Sequence, residues 1–293
     1  MNVSGGSISS IDLSNQKIAV AIDNNVKLYS YSIGSEIKIT DLESKRTENS
    51  HLGSIDYIRA TGVPSQFVTC TCDNNDEVKV WNTQGGKVML EETQRVGHLG
   101  NLALVTSKVS RLVLVPGKSS ELRIYKANEA ASKKKEYLEK LYFVKVSSNA
   151  SYAAGISDDG QFLSATDSKS IYGWRLNERQ GKMEEVFTIK ADKEVKALDA
   201  LRPVNDDNYH YAFPIVAYTT GKQLNVIAFK ETKEGYEEIG KESIEAHTSE
   251  ITRVKLGVVN KKVLVMTIAS DKCIKMWHLP NDLLPPCILI WNP

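Results

Sequence analysis

Short runs of β-branched and aromatic residues recur along the whole chain, each bounded by Asp, Asn, Gly or Ser. Lys17-Ile18-Ala19-Val20-Ala21-Ile22 leads through the polar Asp23-Asn24-Asn25 into Val26-Lys27-Leu28-Tyr29. The same unit, a strand, a polar turn and a second strand closing mostly on an aromatic, returns five more times. The closing positions fall near Tyr29, Trp81, Tyr125, Trp174, Ile227 and Trp277, about 44 to 53 residues apart. A period in that range, with about four short strands per unit, predicts an all-β chain. The expected fold is a single β-propeller over residues 1–293, built of four-stranded antiparallel blades. Six blades are expected, with seven as the alternative.

Two stretches interrupt the pattern. Ala127 to Leu141, rich in Ala, Lys and Glu, competes for helix; it is expected to be a long connection or an extended outer strand. Cys287-Ile288-Leu289-Ile290-Trp291 follows the stop Pro285-Pro286 and is apolar enough for the outer strand of the last blade. The other reading makes it the start of further material. A propeller left open at a seam would offer strand edges to a partner.

Composition narrows the class without changing the fold. The chain carries 37 Lys and Arg against 36 Asp and Glu, a formal net charge of +1. That balance argues against a protein whose main task is gripping nucleic acid. No apolar run reaches the roughly 18 residues of a membrane-spanning helix, and Met1 to Gly6 has no secretory layout. The expectation is an intracellular protein, cytoplasmic or nuclear, in a reducing compartment. The four cysteines, Cys70, Cys72, Cys273 and Cys287, fit buried thiols; Cys70 and Cys72 lack the second ligand pair that a metal site needs.

The last repeat carries a resemblance. It runs from Ala246-His247-Thr248 through Val263 to Asp271 and on to Trp277. A His before the first strand, a Ser or Thr in the second, an Asp in the turn and a Trp closing the third make it similar to a WD repeat. Weaker copies lead from His51 to Trp81 and from Gly97-His98 to Tyr125. Ser157-Asp158-Asp159-Gly160, which leads to Trp174, is similar to the family's first turn. The resemblance implies a structural hydrogen-bond chain within a blade, here His247, Thr267, Asp271 and Trp277. Asp23, Trp81 and Trp174 would be remnants in other blades, with Tyr29 in the Trp place beside Asp23.

No chemistry-bearing motif appears: no phosphate-cradling Gly loop, no His-Glu-x-x-His and no nucleophile elbow. No catalytic residue, metal or cofactor is expected. The resemblance implies a scaffold or adaptor that grips other proteins within a larger assembly. The alternatives are a propeller acting on a small GTPase as a nucleotide-exchange factor, and an RNA-associated assembly factor. Partner contacts are expected on the two longest irregular stretches. One carries Lys133, Lys134 and Lys135; the other carries Tyr209, His210 and Tyr211.

Overall fold

The computed structural model describes residues 6–14, 16–34, 37–42, 51–71, 77–82, 89–95, 104–116, 121–129, 136–146, 153–167, 169–177, 179–202, 213–259, 262–279 and 287–291. Among them are 24 strands and no helix. The chain divides into two compact units, Met1–Lys145 and Val146–Pro293. Each holds three four-stranded antiparallel sheets, and each sheet is made of four strands consecutive in sequence.

In the first unit, sheet 1 holds β1 (Ile8–Ser14), β2 (Lys17–Ile22), β3 (Asn25–Ile33) and β4 (Ile37–Leu42). Sheet 2 holds β5 (Tyr57–Ala60), β6 (Gln66–Cys70), β7 (Glu77–Asn82) and β8 (Met89–Arg95). Sheet 3 holds β9 (Val105–Ser107), β10 (Leu112–Pro116), β11 (Glu121–Ala127) and β12 (Leu138–Lys145). The stretch that competes for helix is therefore strand at both ends, with an outer strand beginning at Leu138. Residues 130–135, and with them Lys133 to Lys135, lie outside the described residues.

In the second unit, sheet 4 holds β13 (Ala153–Ile156), β14 (Phe162–Thr166), β15 (Ser170–Asn177) and β16 (Lys182–Lys190). Sheet 5 holds β17 (Leu198–Leu201), β18 (Ile215–Thr220), β19 (Gln223–Glu231) and β20 (Tyr236–Glu245). Sheet 6 holds β21 (Ile251–Val259), β22 (Lys262–Ala269), β23 (Ile274–His278) and β24 (Cys287–Trp291). β24 pairs antiparallel with β23, so the apolar run after the two prolines is the outer strand of the last sheet.

Burial explains why the inner strands β6, β14 and β18 carry no charged residue while outer strands such as β16 and β20 do. All five residues of β6 are buried, and so are all five of β14 and all six of β18. These strands are covered on both faces, so neither face has to be polar. Phe67 of β6 packs with Ala19, Leu28, Ile58 and Trp81, whereas Val68 and Cys70 pack with Val113, Val115 and Tyr125. The sheet thus sits between two cores, one shared with sheet 1 and one with sheet 3. In the second unit, Ala217 and Val226 of sheet 5 pack with Leu256, Val265 and Trp277 of sheet 6. β16 and β20 are covered on one face at most and show the mixed exposure of an edge. Cys70 ends β6 and is buried, and Cys72 lies outside the described residues.

Candidate functional site

The polar chain in sheet 6 has definite geometry. The Trp277 Nε1–H donates to Thr267 Oγ1 at 3.0 Å, and His247 Nε2 lies 2.8 Å from the same oxygen. His247 Nδ1 sits 3.1 Å from Asp271 Oδ2. The carboxylate also accepts the Thr248 N–H at 3.1 Å and the Cys273 N–H at 3.0 Å. Burial alone would raise the Asp271 carboxyl, but those two backbone N–H groups and His247 outweigh it. They hold the group well below the usual carboxylate range. Burial lowers His247 from its ordinary value of 6.5, and the Asp271 contact offsets this only in part. A neutral imidazole facing a carboxylate must carry its proton on Nδ1, which leaves Nε2 to accept the Thr267 O–H. The proton order is fixed from Trp277 through to Asp271.

Sheet 2 repeats the inner half of this arrangement. The Trp81 Nε1–H donates to Thr69 Oγ1 at 2.7 Å, and His51 Nε2 lies 2.7 Å from that oxygen. Thr69 and His51 are both buried. His51 is the histidine that opens the weaker copy leading to Trp81; Thr69 does not stand out by residue type, but register finds it. Phe67 is opposite Trp81 and Thr69 lies two residues on, just as Val265 is opposite Trp277 and Thr267 lies two residues on.

The other remnants behave differently. Asp23 stands in the β2–β3 turn at φ 50° and accepts the Ser7 N–H at 3.1 Å, as Asp271 accepts that of Thr248. Trp174 is opposite Leu163, and two residues on is Ala165, which offers no hydroxyl. Trp174 instead stacks on Tyr172 at 5.9 Å, and the Tyr172 hydroxyl donates to Asp167 at 2.9 Å. In sheet 5 the outer-strand register shift falls between Ala228 and Phe229, two residues beyond Ile227. Phe229 stacks on Phe187 with centroids 4.2 Å apart.

Two buried or half-buried aspartates tie neighbouring sheets together, and neither follows from local pattern. Asp12 of β1 accepts the Ala60 N–H of β5 at 2.8 Å and the Lys108 ammonium at 2.8 Å. Asp199 of β17 accepts the Leu256 N–H of β21 at 2.8 Å and the Lys255 ammonium at 3.0 Å. Each joins the first strand of one sheet to the first strand of the next.

At the rim of sheets 4 and 5, Arg202 donates to Asp159, Gln161 and Glu231, and Arg175 donates to the other oxygen of Glu231 at 3.1 Å. Arg202 is the last described residue before the loop carrying Tyr209, His210 and Tyr211, which itself lies outside the described residues. Phe213, at its far end, is exposed. Burial and the nearby Glu231 push the Tyr236 phenol up to about 12. An open cleft of about 540 Å³ lies beside it, bounded by Val186, Thr232, Glu234, Gly235 and Glu237. Among the described residues no group of three or more His, Cys, Asp or Glu is placed to hold a metal ion. The polar groups brought together here fasten strands and sheets, and the two hydroxyls hydrogen-bonded to a histidine, Thr69 and Thr267, are fully buried.

No family model matches the chain, and no curated protein matches it. Its likenesses are to solved structures. Sqt1 from Chaetomium thermophilum, bound to the N-terminus of ribosomal protein L10, superposes with a TM-score of 0.68 at 12% identity over 99% of this chain and 76% of that one. A chain of the mitotic checkpoint complex gives 0.66 at 13% identity over 97% and 76%. A protein of Bacteroides fragilis NCTC 9343, named as a candidate 6-phosphogluconolactonase, gives 0.68 at 12% identity over 97% and 84%. At such identities the likeness speaks for the fold alone, and the same fold accompanies names of both binding and enzymatic kind. With its six four-stranded antiparallel sheets as blades, the chain is a six-bladed β-propeller.

Proposed function

We propose that the chain is a non-catalytic, WD-repeat-type scaffold that grips other proteins within a larger assembly. One observation carries the reading. The residues most suggestive of chemistry, His247 with Thr267 and His51 with Thr69, make the same contact in two blades and are used up in holding strands together. A catalytic pair would be singular and would face a cleft, whereas a repeated pair belongs to the frame. Partner contact then falls to the loops between strands. The clustered aromatics Tyr209 and Tyr211 suit a protein contact, and the near-neutral charge favours protein partners over nucleic acid. The buried thiol of Cys70 suits a reducing cytoplasmic or nuclear setting.

Purification from native cells under mild conditions tests this. A stoichiometric protein partner is expected, whose affinity falls when the 203–212 loop is replaced by a Gly-Ser linker. Nucleotide or sugar-phosphate turnover that follows the chain through purification, and that one point change abolishes, would refute the non-catalytic reading.

A further inference from the structure

Five of the six outer strands share one departure from regular pairing. Each carries a single extra residue beside the closing position of its neighbour: Glu91 in β8, Leu141 in β12, Val186 in β16, Ile239 in β20 and Ile288 in β24. A bulge of this kind twists a strand and breaks its ladder, which keeps an exposed edge from pairing with another chain. β4 is different. It pairs with β3 in unbroken register from Leu28 opposite Leu42 to Ile33 opposite Ile37, and β3 is its one neighbour among the described residues. The irregularity of that sheet falls on its other side, between Ile8 and Ser10.

Among the described residues, the end of this face around Ile33 and Ile39 is apolar and exposed. Register puts Ile39 beside Tyr31, Ile37 beside Ile33, and Leu13 on the same face beside Ile18. Ile33 is 76% exposed, Leu13 50%, Ile11 58% and Ile39 42%. The opposite side of β4 presents Lys38 and Thr40, both exposed.

We propose that β4 is a docking edge, to which an extended segment of a partner protein adds as a fifth strand. This rests on the scaffold reading and names the chemistry of one partner. A straight row of backbone N–H and C=O groups is matched by another extended backbone. Continuity of the sheet sets the side chains of that segment. Alternate residues are apolar and extend the Tyr31, Ile33 and Ile39 face, and the residues between are polar, with an acid near Lys38. A second copy of this chain fits poorly. Twofold antiparallel pairing opposes residues of the same parity. A register centred on Lys38 or Ile39 sets Lys38 directly or diagonally against its own copy, and one centred on Thr40 sets Asp41 against Ile39.

The probes are a ten-residue peptide of alternating Val with Thr or Glu and the same peptide with two internal prolines. Binding to the full chain is read by fluorescence anisotropy, and the site by amide hydrogen exchange. The alternating peptide should slow exchange at residues 37–42 and bind at least about tenfold more tightly than its proline control. Inserting one Gly after Ile39 recreates the bulge that the five other blades tolerate, and should weaken binding by at least about tenfold. Ile39→Lys, which leaves the ladder intact, is the second variant should the insertion disturb folding by circular dichroism. Equal binding of the two peptides, protection at a bulged outer strand instead, or a self-dimer that the insertion abolishes would each overturn the proposal. A native partner whose binding ignores both variants would overturn β4 as the edge and leave the scaffold reading standing. Peptide binding at β4 without any stoichiometric native partner would do the reverse.

Discussion

Thr267 accepts the indole N–H of Trp277 while its own proton goes to His247, so one hydroxyl joins two strands and the segment before the first strand of the blade. Removing it strands two buried groups at once. Thr267→Val keeps the shape and should cost roughly 1–3 kcal/mol. Thr267→Ser, which keeps the hydroxyl, should cost less. Trp277→Ala removes the indole from the core shared with sheet 5 and should cost about 3–5 kcal/mol. Urea midpoints for the three variants check the order, and a Val variant as stable as the parent would mean that the hydroxyl carries none of the load.

The same chain predicts a pH response. Because His247 is lowered from 6.5 in the folded state, the unfolded chain binds its proton first as pH falls. Stability contributed by the neutral ring is whole above 6.5 and is lost as pH drops from there toward the lowered value. Asp271 shifts downward too, so its contribution persists through that window and is lost only in stronger acid. His247→Gln should flatten the slope of stability against pH just below 6.5. The Hε1 resonance of His247 should titrate below 6.5; titration above it would contradict the burial argument.

Local pattern carries most of the fold because the inner strands are covered on both faces, which concentrates β-branched residues into runs such as Phe67 to Cys70. It carries less of the framework. Thr69 is one Thr among many until the register opposite Trp81 is known. In sheet 5 the β18–β19 pairing runs on to Thr220 opposite Gln223. The expected closing position, Ile227, therefore falls two residues short of Phe229, which the outer-strand bulge marks. Asp12 and Asp199 reach backbone groups 48 and 57 residues away, a separation over which no local periodicity extends. The loops carrying Lys133 to Lys135 and Tyr209 to Tyr211 lie outside the described residues, so their role rests on the sequence argument alone.

The two tethering aspartates should respond alike to truncation and unlike their lysines. Asp199→Ala leaves the buried Leu256 N–H without its acceptor and should cost about 1.5–3 kcal/mol, the range for a hydrogen bond to a charged group. Asp12→Ala should behave similarly at Ala60. Lys255 is exposed, so Lys255→Met should change stability by about 1 kcal/mol or less. Thermal melts of the three single variants separate the two contributions. Equal losses for Asp199→Ala and Lys255→Met would show that the ion pair, not the backbone contact, ties β17 to β21.

Gly173 offers the sharpest packing test. A Cβ built there would lie 2.1 Å from the Phe187 ring, far inside van der Waals contact. The ring has little room to yield, because it stacks on Phe229 at 4.2 Å and 10° and neighbours Phe162 at 6.2 Å. Its backbone flanks the bulge at Val186, so a shift of the ring would pull on the outer strand of sheet 4. Gly173→Ala should therefore destabilise by about 1–3 kcal/mol through overpacking. Phe187→Leu alone should also destabilise, by the lost aromatic contact and a small cavity. The double variant removes the clash, so its loss should be smaller than the sum of the single losses, a coupling of about 0.5–3 kcal/mol. Additive losses in a double-mutant cycle would mean that the backbone, rather than the Phe187 ring, opposes a side chain at residue 173.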